Sequence, residues 1–225
     1  MKNLILAIIV GHFFSSLAFA VSVNSSSTKL TIYGVWLSTS ADCTSPVQVS
    51  SDANGTEVDI NQSPVLGTGA VAAGTYKCLI IKINAVIKFT PATSDGANCT
   101  SGHEYTFNTC LASNSVNTSK NPITGAIINC TGTSVSDTTG DELFLYVSRN
   151  SACSGTLSSD SACTGIFTNA WVPPTSAADV NHGFKLSSDI TISGNTSGSF
   201  VFNTDSQIDT NAGACDLEGF DLSYK

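Results

Sequence analysis

Residues 151–165, "SACSGTLSSDSACTG", state one small-residue cysteine motif twice, at Cys153 and Cys163. Cys43, Cys78, Cys99, Cys110, Cys130 and Cys215 bring the count to eight. Paired cysteines serve zinc, thiol redox chemistry or disulfides. Structural zinc sites use close C-x₂₋₄-C pairs, and thiol redox sites use C-x-x-C. Neither spacing occurs here. An even count reads instead as a disulfide framework. The residues between Cys153 and Cys163 are turn formers, so the chain can fold back to the ~4.4–6.8 Å Cα separation a bridge needs. Such a staple contributes up to ~3 kcal/mol in the loop-entropy account. "CTSGHEYTFNTC" has the same character. The expected local bridges are therefore Cys99–Cys110 and Cys153–Cys163. The remaining four are expected as Cys43–Cys78 and Cys130–Cys215.

Carboxylates are the second chemistry. "NTDSQIDTNAGACDLEGFD" carries Asp205, Asp209, Asn211, Asp216, Glu218 and Asp221. Calcium takes several oxygen ligands from a flexible loop, so Asp205, Asp209, Asn211 and Asp216 are the candidate ligands. The full EF-hand pattern is absent. A serine hydrolase needs a nucleophile, a histidine and an acid. Past the N-terminal segment the histidines are His103 and His182, and no G-x-S-x-G occurs. Each histidine reads as a surface loop residue. Tyr33, Trp36, Tyr105 and Trp171 could line a carbohydrate platform, but Trp36 falls on the core face of its strand.

Short strands must position these residues. In "KLTIYGVWLS", Leu30, Ile32 and Trp36 share one face and Thr31, Tyr33 and Val35 the other. "VQVS" and "TEVDI" read as two strands joined at Asn54-Gly55, a strong turn signal. "AAGTYKCLIIKINAVIKFTP" alternates with period two: Leu79, Ile81, Ile83, Ala85, Ile87 and Phe89 inward, Lys82, Asn84 and Lys88 outward. Further strands are "DELFLYVS", "GFKLSSDITISG", "GSFVFNTD" and "CDLEGFDLSY", the last needing a bulge at Gly219 to keep its alternation. No helix is indicated beyond the N-terminal segment. The pattern predicts an all-β antiparallel β-sandwich.

Lys2, the apolar run from Leu4 to Val10 and the Ala18-Phe19-Ala20 site read as a signal peptide over residues 1–20, cut between Ala20 and Val21. The run is too short and interrupted for a membrane span. Residues 21–225 read as a single domain with a loop-rich, disulfide-stapled insertion over about 92–182. Charged residues make up 12% of the chain and hydrophobic residues 41%, so it is neither disordered nor strongly ionic. The net charge is −8, and Arg149 is the only arginine. Without a basic cluster, nucleic acid and anionic membranes are poor partners.

"LTIYGVWLS", "SPVLGTGAVAAGTYKCLIIKINAVI" and "FKLSSDITISGNTSGSFVFNTDSQI", in that order, resemble an exported bacterial domain family of unknown function (DUF4382-like). The resemblance covers residues 29–90 and 183–210. It implies an immunoglobulin- or transthyretin-like sandwich on the cell envelope, and no activity. The expected function is an exported, disulfide-stabilised, non-enzymatic binding or structural module, secreted, periplasmic or on the cell surface. Its partner would be a protein or glycan surface ligand met by loops within 92–182, and no cofactor is expected. The alternatives are an exported hydrolase and a calcium-dependent adhesion module.

Overall fold

The computed structural model describes residues 22–62, 71–95, 98–109, 118–129, 140–151, 172–174, 183–193, 200–203, 208–210, 215–217 and 221–224. The protein is all-β. The N-terminal half runs β1 (Ser22–Val23), β2 (Ser25–Ser38), β3 (Val47–Asp59), a 3₁₀ turn (Ile60–Gln62), β4 (Gly74–Tyr76), β5 (Cys78–Asn84), β6 (Val86–Pro91) and β7 (Tyr105–Asn108). There follow β8 (Thr118–Lys120), β9 (Ile127–Asn129), β10 (Glu142–Ser148), β11 (Phe184–Lys185), β12 (Ile190–Ile192) and β13 (Phe200–Asn203). The chain ends with β14 (Ile208–Asp209), β15 (Asp216–Leu217) and β16 (Asp221–Tyr224). Among the described residues no helix is long and apolar enough to cross a membrane.

A seven-stranded sheet organises the chain in the order β11-β10-β5-β2-β6-β7, with β3 on the other edge of β2. β5 and β6 follow one another along the same edge of β2, pairing with Ile32–Ser38 and then with Ser25–Lys29. They form the long alternating strand expected, bent at Ala85. Asn84 Oδ1 makes the bend by accepting the Val86 N–H at 2.8 Å. Ala85 is also a fork: its N–H donates to Asp141 O, and its C=O accepts from Thr109 N. Past this residue the outer neighbour changes from β10 to β7. The sheet is mixed, because β11 runs parallel to β10 through Val147↔Phe184 and Ser148↔Lys185. That departs from the wholly antiparallel arrangement expected.

Two expectations about strand phase are corrected. First, Trp36 does not share a face with Leu30 and Ile32. β2 carries an extra residue between Ile32 and Gly34 relative to β5, which reverses the alternation. Leu30, Ile32, Val35 and Leu37 therefore face one core, and Trp36 faces the other. Gly34 permits this, since a Cβ there would lie 2.7 Å from the Trp36 ring. Second, "VQVS" and "TEVDI" do not form a hairpin. Both pair with β2 as parts of one strand. Residues 52–55 loop out opposite Tyr33, because Ile32 faces Thr56 and Gly34 faces Ser51. The Asn-Gly step makes the loop-out instead, with Gly55 at φ 71°.

The larger core gathers Leu79, Ile81, Ile83, Ala85, Ile87 and Phe89 from β5–β6 with Leu143, Leu145 and Val147 from β10. Each fully buried Leu or Ile contributes about 1.5–3 kcal/mol, so this one face accounts for much of the driving force. The opposite face holds a smaller cluster: Trp36, Cys43, Cys78, Ile80, Phe144 and Tyr146. The β8–β9 hairpin covers it. Ser119 Oγ accepts from Phe144 N at 2.7 Å and lies 3.1 Å from Phe144 O, and the Tyr146 hydroxyl donates to Lys120 O at 2.6 Å. Within the span 92–182 lies β10, a buried strand of the main sheet.

Two disulfides are described. Cys43–Cys78 (Cα separation 5.3 Å) joins the β2–β3 loop to the start of β5. Cys99–Cys215 (5.2 Å) joins residues 116 positions apart. The second corrects the expected Cys99–Cys110 and Cys130–Cys215 bridges, because each sulfur forms one bond. The C-terminal hairpin β14–β15 packs beside the loop before β7, where Asn98 Nδ2 donates to Thr210 O at 2.8 Å. Tertiary proximity therefore supersedes closeness in sequence. Cys110, Cys130, Cys153 and Cys163 lie outside the described residues.

Candidate ligand-contact surface on the open half of the sheet

The sheet face opposite the larger core is divided. Its apolar part lies under β8–β9. The remainder, made by β2, β3, β5, β6 and the end of β10, carries Lys29, Thr31, Tyr33, Glu57, Lys82, Asn84, Lys88 and Glu142, all half-buried or exposed. Strand alternation puts them there. Lys29 and Thr31 are out of phase with Leu30 and Ile32, and Lys88 is out of phase with Ile87 and Phe89.

The charges form ordered pairs. Lys29 and Lys88 are direct cross-strand neighbours, a repulsive arrangement on its own. Glu104 Oε2 meets Lys29 Nζ at 2.7 Å, and Glu57 Oε2 meets Lys88 Nζ at 2.6 Å. Lys29 is held above its ordinary pKa by its hydrogen bond to Glu104, with the Glu104, Glu57 and Asp59 charges adding. Glu104 is held below the usual carboxylate range, chiefly by the hydrogen bond from Lys29. Further along, Lys82 pairs with Glu142 and holds its ammonium 5.3 Å from the centre of the Tyr33 ring. Asn84 Nδ2 donates to the Tyr33 hydroxyl at 3.4 Å. The result is a charge-balanced surface of donors and acceptors around one aromatic ring.

The other candidates distribute as follows. Trp36 is buried, at 6% exposure, and does not belong to any surface platform. Tyr105 is half-buried, stacked on Phe89 with centroids 5.7 Å apart. His103 is exposed and meets the Tyr105 ring edge-on at 4.7 Å. His182 and Trp171 lie outside the described residues. Register places Asp209 directly opposite Asp216, whereas Asp205 and Asn211 lie outside the described residues. Among the described residues no group of three or more His, Cys, Asp or Glu is arranged to hold a metal. Lys82, Asn84 and Lys88 were legible as outward positions. The partners Glu142 of Lys82 and Glu57 of Lys88 were not, nor was Glu104 beside Lys29, since those carboxylates arrive from β10, β3 and the approach to β7.

At one end of the sheet a polar clasp holds the loops. Ser148 Oγ donates to Ala41 O, and Asn150 Nδ2 donates to Asp42 Oδ1 at 2.6 Å. Arg149 donates to Leu186 O and Ser187 O and pairs with Asp189 at 3.2 Å. Ser151 Oγ donates to Gly183 O at 3.0 Å. The only arginine is therefore committed to internal contacts at this end.

No protein-family model, no curated protein and no solved structure matches this chain.

Proposed function

We propose that this protein is an exported, disulfide-stabilised binding or structural module of the cell envelope or surface, without a catalytic task. We read its architecture as an immunoglobulin- or transthyretin-like sandwich, in keeping with the exported bacterial family whose segments it resembles. The observation that carries the reading is the divided sheet face: one part apolar and covered, the other polar, paired and open around Tyr33. Two disulfides joining distant segments support an oxidising compartment.

A charge-balanced surface suits a ligand with both hydrogen-bond donors and acceptors and little net charge. Glycan hydroxyls supply those, and sugar C–H faces pack on aromatic rings. We therefore favour an uncharged glycan, contacted by Tyr33, Asn84 and the Lys82–Glu142 pair.

Lysine acetylation tests the reading on protein bound to isolated cell envelopes. Lys29, Lys82 and Lys88 should be protected relative to the free protein, while the exposed Lys77 and Lys185 label equally in both. Equal labelling of all five would count against the open face as the contact surface.

A further inference from the structure

The chain contains one Asn-Gly step, Asn54-Gly55, and the fold sets it on the loop-out of β3. Asn54 is exposed. Asp52 organises the loop. Its Oδ1 accepts the Asn54 N–H at 2.9 Å, and its Oδ2 accepts the Thr56 hydroxyl at 2.7 Å. Residues 52–55 have no register partner on β2, so they can move without breaking the ladder. Gly55 has no Cβ to block approach to its nitrogen, and it already occupies the left-handed region at φ 71°.

We propose that Asn54 is a self-modification site, at which the Gly55 nitrogen closes on the Asn54 side-chain carbonyl and the residue converts to aspartate and isoaspartate without an enzyme. A bond forms between Gly55 N and Asn54 Cγ. The bond from Cγ to Nδ2 breaks, and Nδ2 leaves as ammonia, carrying the proton given up by the Gly55 amide. Water then opens the cyclic imide at either carbonyl. One water is consumed and one ammonia released, with no change of oxidation state.

Three other described asparagines differ in both respects. Asn61, Asn98 and Asn150 each commit their amide nitrogen, to Ser25 O, Thr210 O and Asp42 respectively. Each is also followed by a residue with a Cβ. The product would place a new carboxylate beside Asp52. It would lie at the border of the polar face, because Gly55 packs against Thr31 and Tyr33. The isoaspartate form would also lengthen the backbone of the loop-out.

The test incubates the folded, oxidised protein at mildly alkaline pH, followed by peptide mapping. A synthetic peptide "SSDANGTEV" run in parallel gives the unconstrained rate. The expected result is a gain of one mass unit and an isoaspartate signature at Asn54, at a rate within tenfold of the peptide. Asn54→Gln should abolish it, while Asn61, Asn98 and Asn150 stay intact. An Asn54 that persists in the folded protein while the peptide converts would overturn the proposal. So would conversion at the other three at a similar rate.

Discussion

Cys99 and Cys215 are separated by 116 residues in the chain and by 5.2 Å between Cα atoms. The bond ties the loop before β7 to the C-terminal hairpin and closes residues 99–215, about half of the chain, into one ring. In the loop-entropy account a bridge of this span contributes up to about 5 kcal/mol, and Cys43–Cys78, at a separation of 35, up to about 4 kcal/mol. Either is large beside the stability of a typical domain. The double variant Cys99→Ser with Cys215→Ser should lose more stability than Cys43→Ser with Cys78→Ser, read as denaturant midpoints. The reverse order would show that the C-terminal hairpin is held mainly by its other contacts.

Gly34 is where β2 changes phase. The Trp36 ring lies over it, and a methyl group would meet that ring at 2.7 Å and Ser50 O at 3.2 Å. Gly34→Ala should cost about 1–3 kcal/mol, as overpacking does in closed cores. Trp36 fluorescence would report the displacement. An unchanged spectrum with full stability would mean that the ring moves aside freely.

Tyr146 sits in the smaller core with its hydroxyl bonded to Lys120 O, and burial pushes its pKa far above the ordinary value. The folded state thus favours the neutral phenol. Its contribution is present below the unfolded-state pKa of about 10 and is lost as pH rises beyond it. Urea titrations at alkaline pH should show steeper loss of stability in the native chain than in Tyr146→Phe. At neutral pH the variant should be less stable by about 0.5–1.5 kcal/mol, the net worth of one hydrogen bond. Parallel alkaline profiles would refute the assignment.

On the acid side, Glu104 is depressed by Lys29, and Asp52 by the Thr56 hydroxyl and the Asn54 and Gly55 amides. Both carboxylates favour the folded state while ionised. Their contribution is present above the unfolded-state values, near 4, and disappears as pH falls through the lower folded values. Glu104→Gln should flatten the acid limb of the stability profile. It should also expose the Lys29–Lys88 repulsion, which added salt would relieve. A variant with an unchanged acid limb would mean that the pair is spectator chemistry.

Much of this fold was legible because period two is a strong signal where one face is buried. Leu79, Ile81, Ile83, Ala85, Ile87 and Phe89 alternate onto one face in the sequence, and all six lie in the larger core. The phase change at Gly34 was invisible, because a bulge depends on how many residues the neighbouring strand sets opposite. Asn54-Gly55 carried real local chemistry, but whether such a step turns a hairpin or loops out of one strand depends on β2, which is long enough to pair with both flanking segments. The Cys99–Cys110 expectation rests on short chain distance and on the turn residues of "CTSGHEYTFNTC". The actual partner of Cys99 arrives through the pairing of β1 with β14 and of β14 with β15, which no local pattern announces. The polar face had the same fate: the lysines alternate visibly in one strand, and the glutamates that order them come from elsewhere.

The most direct test of the central claim is a glycan array probed with the oxidised protein spanning residues 21–225, beside Tyr33→Ala and Asn84→Ala variants with intact Cys99–Cys215 linkage. The account predicts retention of a class of uncharged glycans by the native chain, and at least a tenfold loss in both variants with unchanged melting. Retention that survives both substitutions, or no retention of any glycan, would contradict the open face as a glycan-binding surface.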